Sequence, residues 1–171
     1  MKKILLLFAA VSSLMLTSCN NDDDLGSAQD QDTVATVIET TLDFNSGNNF
    51  AKLVNLDNTF AYDMVLVYRQ GYDAVANSNV WELTPRNYNF DNGDVIGYDF
   101  NFTRTDVLIY MVSNFDLAQA SGTYTSNQLF RIVVIPGSQN GAGKLAPKAD
   151  FKDYNAVIKA YGIDESKIIK K

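Results

Sequence analysis

Asp94-Val95-Ile96-Gly97-Tyr98-Asp99-Phe100-Asn101-Phe102 is the stretch whose reading decides the fold, and Asp106-Val107-Leu108-Ile109-Tyr110-Met111-Val112-Ser113 follows it after only Thr103-Arg104-Thr105. In the first, Ile96, Tyr98, Phe100 and Phe102 alternate with Gly97, Asp99 and Asn101. A period of two puts one set of side chains on a buried face and the other in water, as in a strand. The second is apolar on both faces, Val107, Ile109 and Met111 on one and Leu108, Tyr110 and Val112 on the other, which predicts a central strand. Asp91-Asn92-Gly93 stands just ahead of the pair, and Asn-Gly supplies the positive φ angles of a tight hairpin turn. The same residues do not make a calcium loop: counted from Asn87, the sixth position is Asn92 where Gly is needed, and the twelfth is Tyr98 where Glu is needed.

Outward from there, Asp63–Gln70, Gln128–Ile135 and Val34–Phe44 read as further strands, with Phe50–Leu56 and Val80–Leu83 as shorter ones. About seven strands without βα alternation predict an all-β fold, an antiparallel Ig-like β-sandwich over residues 33–171. The period changes near the end. Phe151, Tyr154, Val157, Ile158 and Tyr161 fall at helical spacing from about residue 151, and Gly162 can end that helix. Asp164–Lys171 reads as a second short helical piece with a basic end, and Pro136–Ala149 as the longest loop.

A chain of 171 residues holds one such domain. His is absent and Cys occurs once, which excludes Cys-His metal sites, Ser-His-Asp triads, Cys-His dyads and disulfides within the chain. No metal and no cofactor is expected. Cys19–Ile135 carries 16 acidic and 5 basic residues, whereas Pro136–Lys171 carries 4 acidic and 7 basic. An acidic body argues against nucleic acid as a partner. Among 17 Asp and 3 Glu, no spacing singles out a glycosidase-type carboxylate pair. A non-enzymatic protein is therefore expected, with a small hydrolase as the most distant alternative.

Lys2 and Lys3 precede an apolar run from Ile4 to Leu16 that is shorter than the roughly 20 residues needed to span a bilayer. This fits a secretory signal peptide over residues 1–18. Leu16-Thr17-Ser18-Cys19 resembles the lipobox of bacterial lipoproteins: an aliphatic residue, two small ones and Cys. The resemblance implies cleavage between Ser18 and Cys19 and a diacylglyceryl group on the Cys19 thiol, so that the chain is held at a membrane by lipid. Residues 19–32 read as an acidic, flexible tether. Asp22-Asp23-Asp24 within it resembles the export signal of Bacteroidota surface lipoproteins, which implies display on the outer face of the outer membrane. Asp32-Thr33-Val34 resembles the O-glycosylation sequon of the same group, with Thr33 as the modified residue.

Within the body, Arg69 and Arg131 sit in otherwise apolar strands. Such an arginine needs a carboxylate, and cross-strand pairing with Glu82 or an Asp is the plain expectation. A recess for an anionic ligand is the sharper one. Trp81, beside Leu83 in alternation, reads as core. Tyr62, Tyr72 and Tyr88 lie near strand ends or loops and are expected to be exposed, which makes them the aromatic candidates for a glycan site.

The segments Asp63–Arg69, Val80–Leu83, Phe100–Thr103 and Phe130–Val133 resemble those of small flavobacterial-type Bacteroidota lipoproteins. That resemblance covers most of residues 33–171 and implies no activity. The expectation is a monomeric outer-membrane lipoprotein, facing the cell exterior, with a structural or protein-interaction role. Its partners would be the membrane, through the lipid, and an envelope protein. The alternative is a module that captures glycan.

Overall fold

The computed structural model describes residues 35–57, 59–137 and 148–171. Ser18, Cys19, Asp22, Asp23, Asp24 and Thr33 lie outside the described residues, as does most of the Pro136–Ala149 loop. The strands are β1 (Thr36–Leu42), β2 (Ala51–Asn55), β3 (Met64–Asp73), β4 (Ser78–Leu83), β5 (Arg86–Asn89), β6 (Val95–Phe102), β7 (Asp106–Ser113), β8 (Gln128–Ile135) and β9 (Ile169–Lys170). Among the described residues two α-helices accompany them, the single turn α1 (Gly122–Thr125) and α2 (Tyr154–Ala160).

The strands form a five-stranded sheet, β4-β3-β8-β1-β9, and a four-stranded sheet, β2-β7-β6-β5. Every pairing is antiparallel except β1 with β9. The neighbour order β2-β7-β6 and β4-β3-β8 is that of strands B-E-D and C′-C-F in an immunoglobulin sandwich, with β1 beside β8. The expected antiparallel sandwich with a short C-terminal helix is the fold of the chain.

Alternation explains the layers. Ile38, Val67, Ile132, Val134 and Phe130 face Ile96, Tyr98, Val107 and Ile109 across the sandwich, all within one buried cluster. The opposite parity of the five-stranded sheet is also apolar. Val37, Leu66, Tyr68, Val133 and Ile135 are buried there against Tyr154 and Val157 of α2. The molecule therefore has a third layer, the C-terminal segment, over one sheet.

Helix α2 starts where Asp153 accepts hydrogen bonds from the Asn155 and Ala156 amides, at 2.9 and 3.2 Å. It stops at Gly162, at φ +59°, with the Ile163 amide closing on the Ile158 carbonyl. Among the described residues no helix is long and apolar enough to cross a membrane.

Three local expectations are corrected. The short helical piece expected over residues 164–171 is confined to one 3₁₀ turn, Glu165–Lys167, and beyond it Ile169-Lys170 pairs as a strand with Ile38-Glu39. The Lys171 amide then bonds the Glu39 carbonyl at 3.0 Å, so sheet edge rather than helix dipole organises the basic end. In the β5–β6 hairpin only Gly93 has positive φ, at +88°. The turn is a three-residue Asp91-Asn92-Gly93 loop, closed by the Gly93 amide on the Phe90 carbonyl, instead of a two-residue Asn-Gly turn. The Arg86–Asn89 strand was not expected, because Tyr88 is its single apolar residue.

Ile132 is fully buried and Leu53 is 66% exposed. Ile132→Ala is expected to lower unfolding free energy by about 2–5 kcal/mol. Leu53→Ala should change it by no more than about 0.5 kcal/mol. Urea midpoints for the two variants check both values.

Candidate functional site

Register separates the two strand arginines. Tyr68 pairs with Arg131 and Arg69 with Phe130, so Arg131 shares the face of Tyr68 while Arg69 shares the face of Phe130. Arg69 points into the sandwich and Arg131 toward the C-terminal layer. No single recess holds both.

Arg69 is 8% exposed. Its Nε and Nη2 donate to Gln128 Oε1 at 2.8 and 2.6 Å. Gln128 in turn donates from Nε2 to the Thr123 and Ser126 carbonyls, which ties β8 to α1. Arg69 Nη1 donates to the Tyr88 hydroxyl at 3.0 Å and lies 3.7 Å from Glu82 Oε2. Tyr88 passes the contact on by donating to Glu82. Glu82 is the register partner of Arg69, as expected, and also meets Arg86 at 3.3 Å. Gly71 makes room for this carboxylate: a Cβ there would stand 2.5 Å from Glu82 Oε2. The guanidinium also lies over the Tyr98 and Tyr88 rings, at 4.9 and 5.4 Å. A recess of about 390 Å³ opens above the cluster, lined in part by Tyr72, Tyr88 and Tyr124.

Arg131 is held as completely on the other face. Its Nε donates to Glu39 Oε2 at 2.9 Å, and its Nη1 to Tyr154 at 2.7 Å and Glu165 at 2.6 Å. Glu39 is its cross-strand partner, on β1, where the sequence reading looked to Glu82 or an Asp. The guanidinium lies 4.3 Å from the Trp81 ring centroid. Burial is the largest single influence on Arg131 and works to lower its pKa, but Glu39, Tyr154 and Glu165 together outweigh it and hold the group above the ordinary arginine value.

Trp81 and Leu83 share a face and pack against the second core, as alternation predicts. Trp81 is only half-buried, however, and lines a groove of about 680 Å³ between β4 and the start of α2. The groove also touches Arg131, Tyr154, Asn79, Asn155, Lys152 and Glu165. Sequence reading missed Tyr154 and Glu165 as site residues because only the folding back of the C-terminal segment brings them to β4 and β8.

The tyrosine candidates do not form one row. Tyr62 and Tyr72 are exposed, at 53% and 62%, but stand at opposite ends of β3. Tyr88 is half-buried, contrary to expectation, because β5 turns it inward opposite Ile96 toward Arg69 and Tyr124. Anion capture by either arginine is disfavoured, since carboxylates already occupy both. Among the described residues no three potential metal ligands lie together, and no buried side-chain polar atom lacks a hydrogen bond.

Burial, with the Glu82 hydrogen bond, pushes the Tyr88 phenol up to about 12 against the lowering effect of Arg69. Burial likewise pushes Tyr154 up to about 12 against Arg131. Unfolded tyrosine ionises near pH 10. Between about pH 10 and 12 the unfolded chain has therefore lost protons that the folded chain still holds, so unfolding releases protons and stability falls as pH rises. This contribution is intact below pH 10. Denaturant unfolding across that range should show the loss, and the combined Tyr88→Phe, Tyr154→Phe variant should lose stability less steeply. An unchanged slope would contradict the assignment.

No protein-family model, curated protein or solved structure matches the chain.

Proposed function

We propose that the chain is a lipid-anchored, surface-exposed outer-membrane lipoprotein whose folded domain does non-catalytic work, as a structural or protein-interaction module of the envelope. The observation that carries the non-catalytic part is the internal compensation of the strand charges. Arg69 faces Glu82 and Arg131 faces Glu39 and Glu165. A general acid needs a carboxyl whose pKa is pushed upward. Asp73 and Asp164 are held below the usual carboxylate range instead, Asp73 by the Ala76 and Val75 amides and Asp164 by the Ser166 hydroxyl and amide.

The anchor rests on Lys2-Lys3, the Ile4–Leu16 run and Leu16-Thr17-Ser18-Cys19, which together match the bacterial lipoprotein signal. One acyl chain holds a protein weakly and two hold it stably, so a diacylglyceryl group on Cys19 suffices without a spanning segment. Asp22-Asp23-Asp24 directly beyond it supports outward display, and the body segments support kinship with the Bacteroidota lipoproteins.

Cells expressing the full chain should incorporate labelled palmitate into it, and Cys19→Ser should abolish the label. Replacing Asp22, Asp23 and Asp24 together by Asn should keep the label and protect the protein from protease added to intact cells. Label on the Cys19→Ser chain would overturn the anchor. Resistance of the wild type in intact cells, with cleavage after lysis, would overturn surface display.

A further inference from the structure

We infer that the groove between β4 and the start of α2 is a binding site for a neutral saccharide chain. Three observations meet there. The first is aromatic. Trp81 lines the groove half-buried, backed by the buried Tyr154 ring at a centroid distance of 5.6 Å. A pyranose ring has a C–H face that packs on such rings, and amphipathic aromatics suit a ligand that is half apolar and half polar.

The second observation is the polar rim. Asn79 and Asn155 are exposed at the groove, and Glu165 is half-exposed. The carboxamides can both donate to and accept from sugar hydroxyl groups, and the carboxylate can accept from them. A volume of about 680 Å³ lies within the range of small-molecule sites and suits two or more sugar residues.

The third is charge. The groove is lined by two cations, Arg131 and Lys152, and two anions, Asp153 and Glu165. Arg131 already holds Glu39 and Glu165, and Asp153 already caps α2. A charged ligand reaching for Arg131 or Glu165 would have to displace these contacts, whereas a neutral polyol would not. The Arg131 guanidinium under Trp81 fixes the indole in place before any ligand arrives, which lowers the ordering cost of binding.

This inference rests on the non-catalytic reading in one respect, that the sugar is held and not cleaved. Trp81 is the chain's only tryptophan, so its emission reports the groove directly. The experiment titrates the detergent-solubilised full chain with cellohexaose, maltohexaose, mannohexaose and xylohexaose, and with an oligogalacturonate of similar length. A saturable change in emission is expected with at least one neutral hexaose. Binding should be roughly tenfold weaker in Asn79→Ala and in Asn155→Ala. Both residues are exposed, so each variant should melt with the parent. No response to any neutral hexaose at millimolar concentration would overturn the site. So would tighter binding of the oligogalacturonate, or unchanged affinity in both variants. Shortened oligosaccharide in the mixture would overturn the non-catalytic reading and leave the site standing.

Discussion

Both faces of β8 are apolar, and neither can be left in water. Phe130, Ile132 and Val134 point into the sandwich, while Val133 and Ile135 point away from it. Full burial of one such side chain is worth roughly 1.5–3 kcal/mol. Exposing either face would therefore cost several kcal/mol, a large part of the roughly 5–15 kcal/mol that keeps a domain folded. Two consequences follow for the rest of the structure. β8 has to sit inside its sheet, between β3 and β1, and something has to cover that sheet's outer face. The four-stranded sheet covers one side. Tyr154 and Val157 of α2 cover the other, and the C-terminal segment is thereby a structural layer.

Arg131 marks the boundary of that layer. It is the one charged residue of β8, and it occurs where the outward parity of the strand reaches the margin of the α2 contact. Its three hydrogen bonds join β1, α2 and the turn after α2 through Glu39, Tyr154 and Glu165. Arg69 does the same on the inner face, joining β3 to β8, β5 and β4 through Gln128, Tyr88 and Glu82. Each guanidinium is both neutralised and stacked on aromatic rings. A buried pair of this kind is weak evidence for net stability, yet removal of one partner would strand a charge. The pairs therefore fix which elements may meet, and in fixing α2 against β4 they create the groove that contains Trp81.

Much of the architecture was legible in sequence because alternation is a local signal. β6 could be read from Ile96, Tyr98 and Phe100, and β7 from its two apolar faces. The Arg69–Glu82 pair could be anticipated because both residues sit on adjacent strands close in the chain. Other features depend on distant parts of the chain. β9 is two residues long and exists through Ile38 and Glu39, far away in sequence. Tyr88 looked like a loop residue until β5 was seen to pair with β6. Arg131 finds Glu39 and Glu165 across separations of 92 and 34 residues, and no periodicity points to either. The groove was invisible for the same reason, since its two walls, β4 and the start of α2, lie some seventy residues apart.

Through the two faces of β8 the C-terminal layer and the sandwich should unfold as one cooperative unit. Native-state hydrogen exchange at the amides of Ile132, Val133 and Val157 tests it most directly. The Val157 amide, bonded to the Asp153 carbonyl, reports α2, and the other two report β8. One shared opening free energy is expected for all three, equal to that of global unfolding. If Val157 opens several kcal/mol more easily while the β8 amides stay protected, α2 is an accessory on a self-sufficient sandwich and the two do not form one cooperative unit.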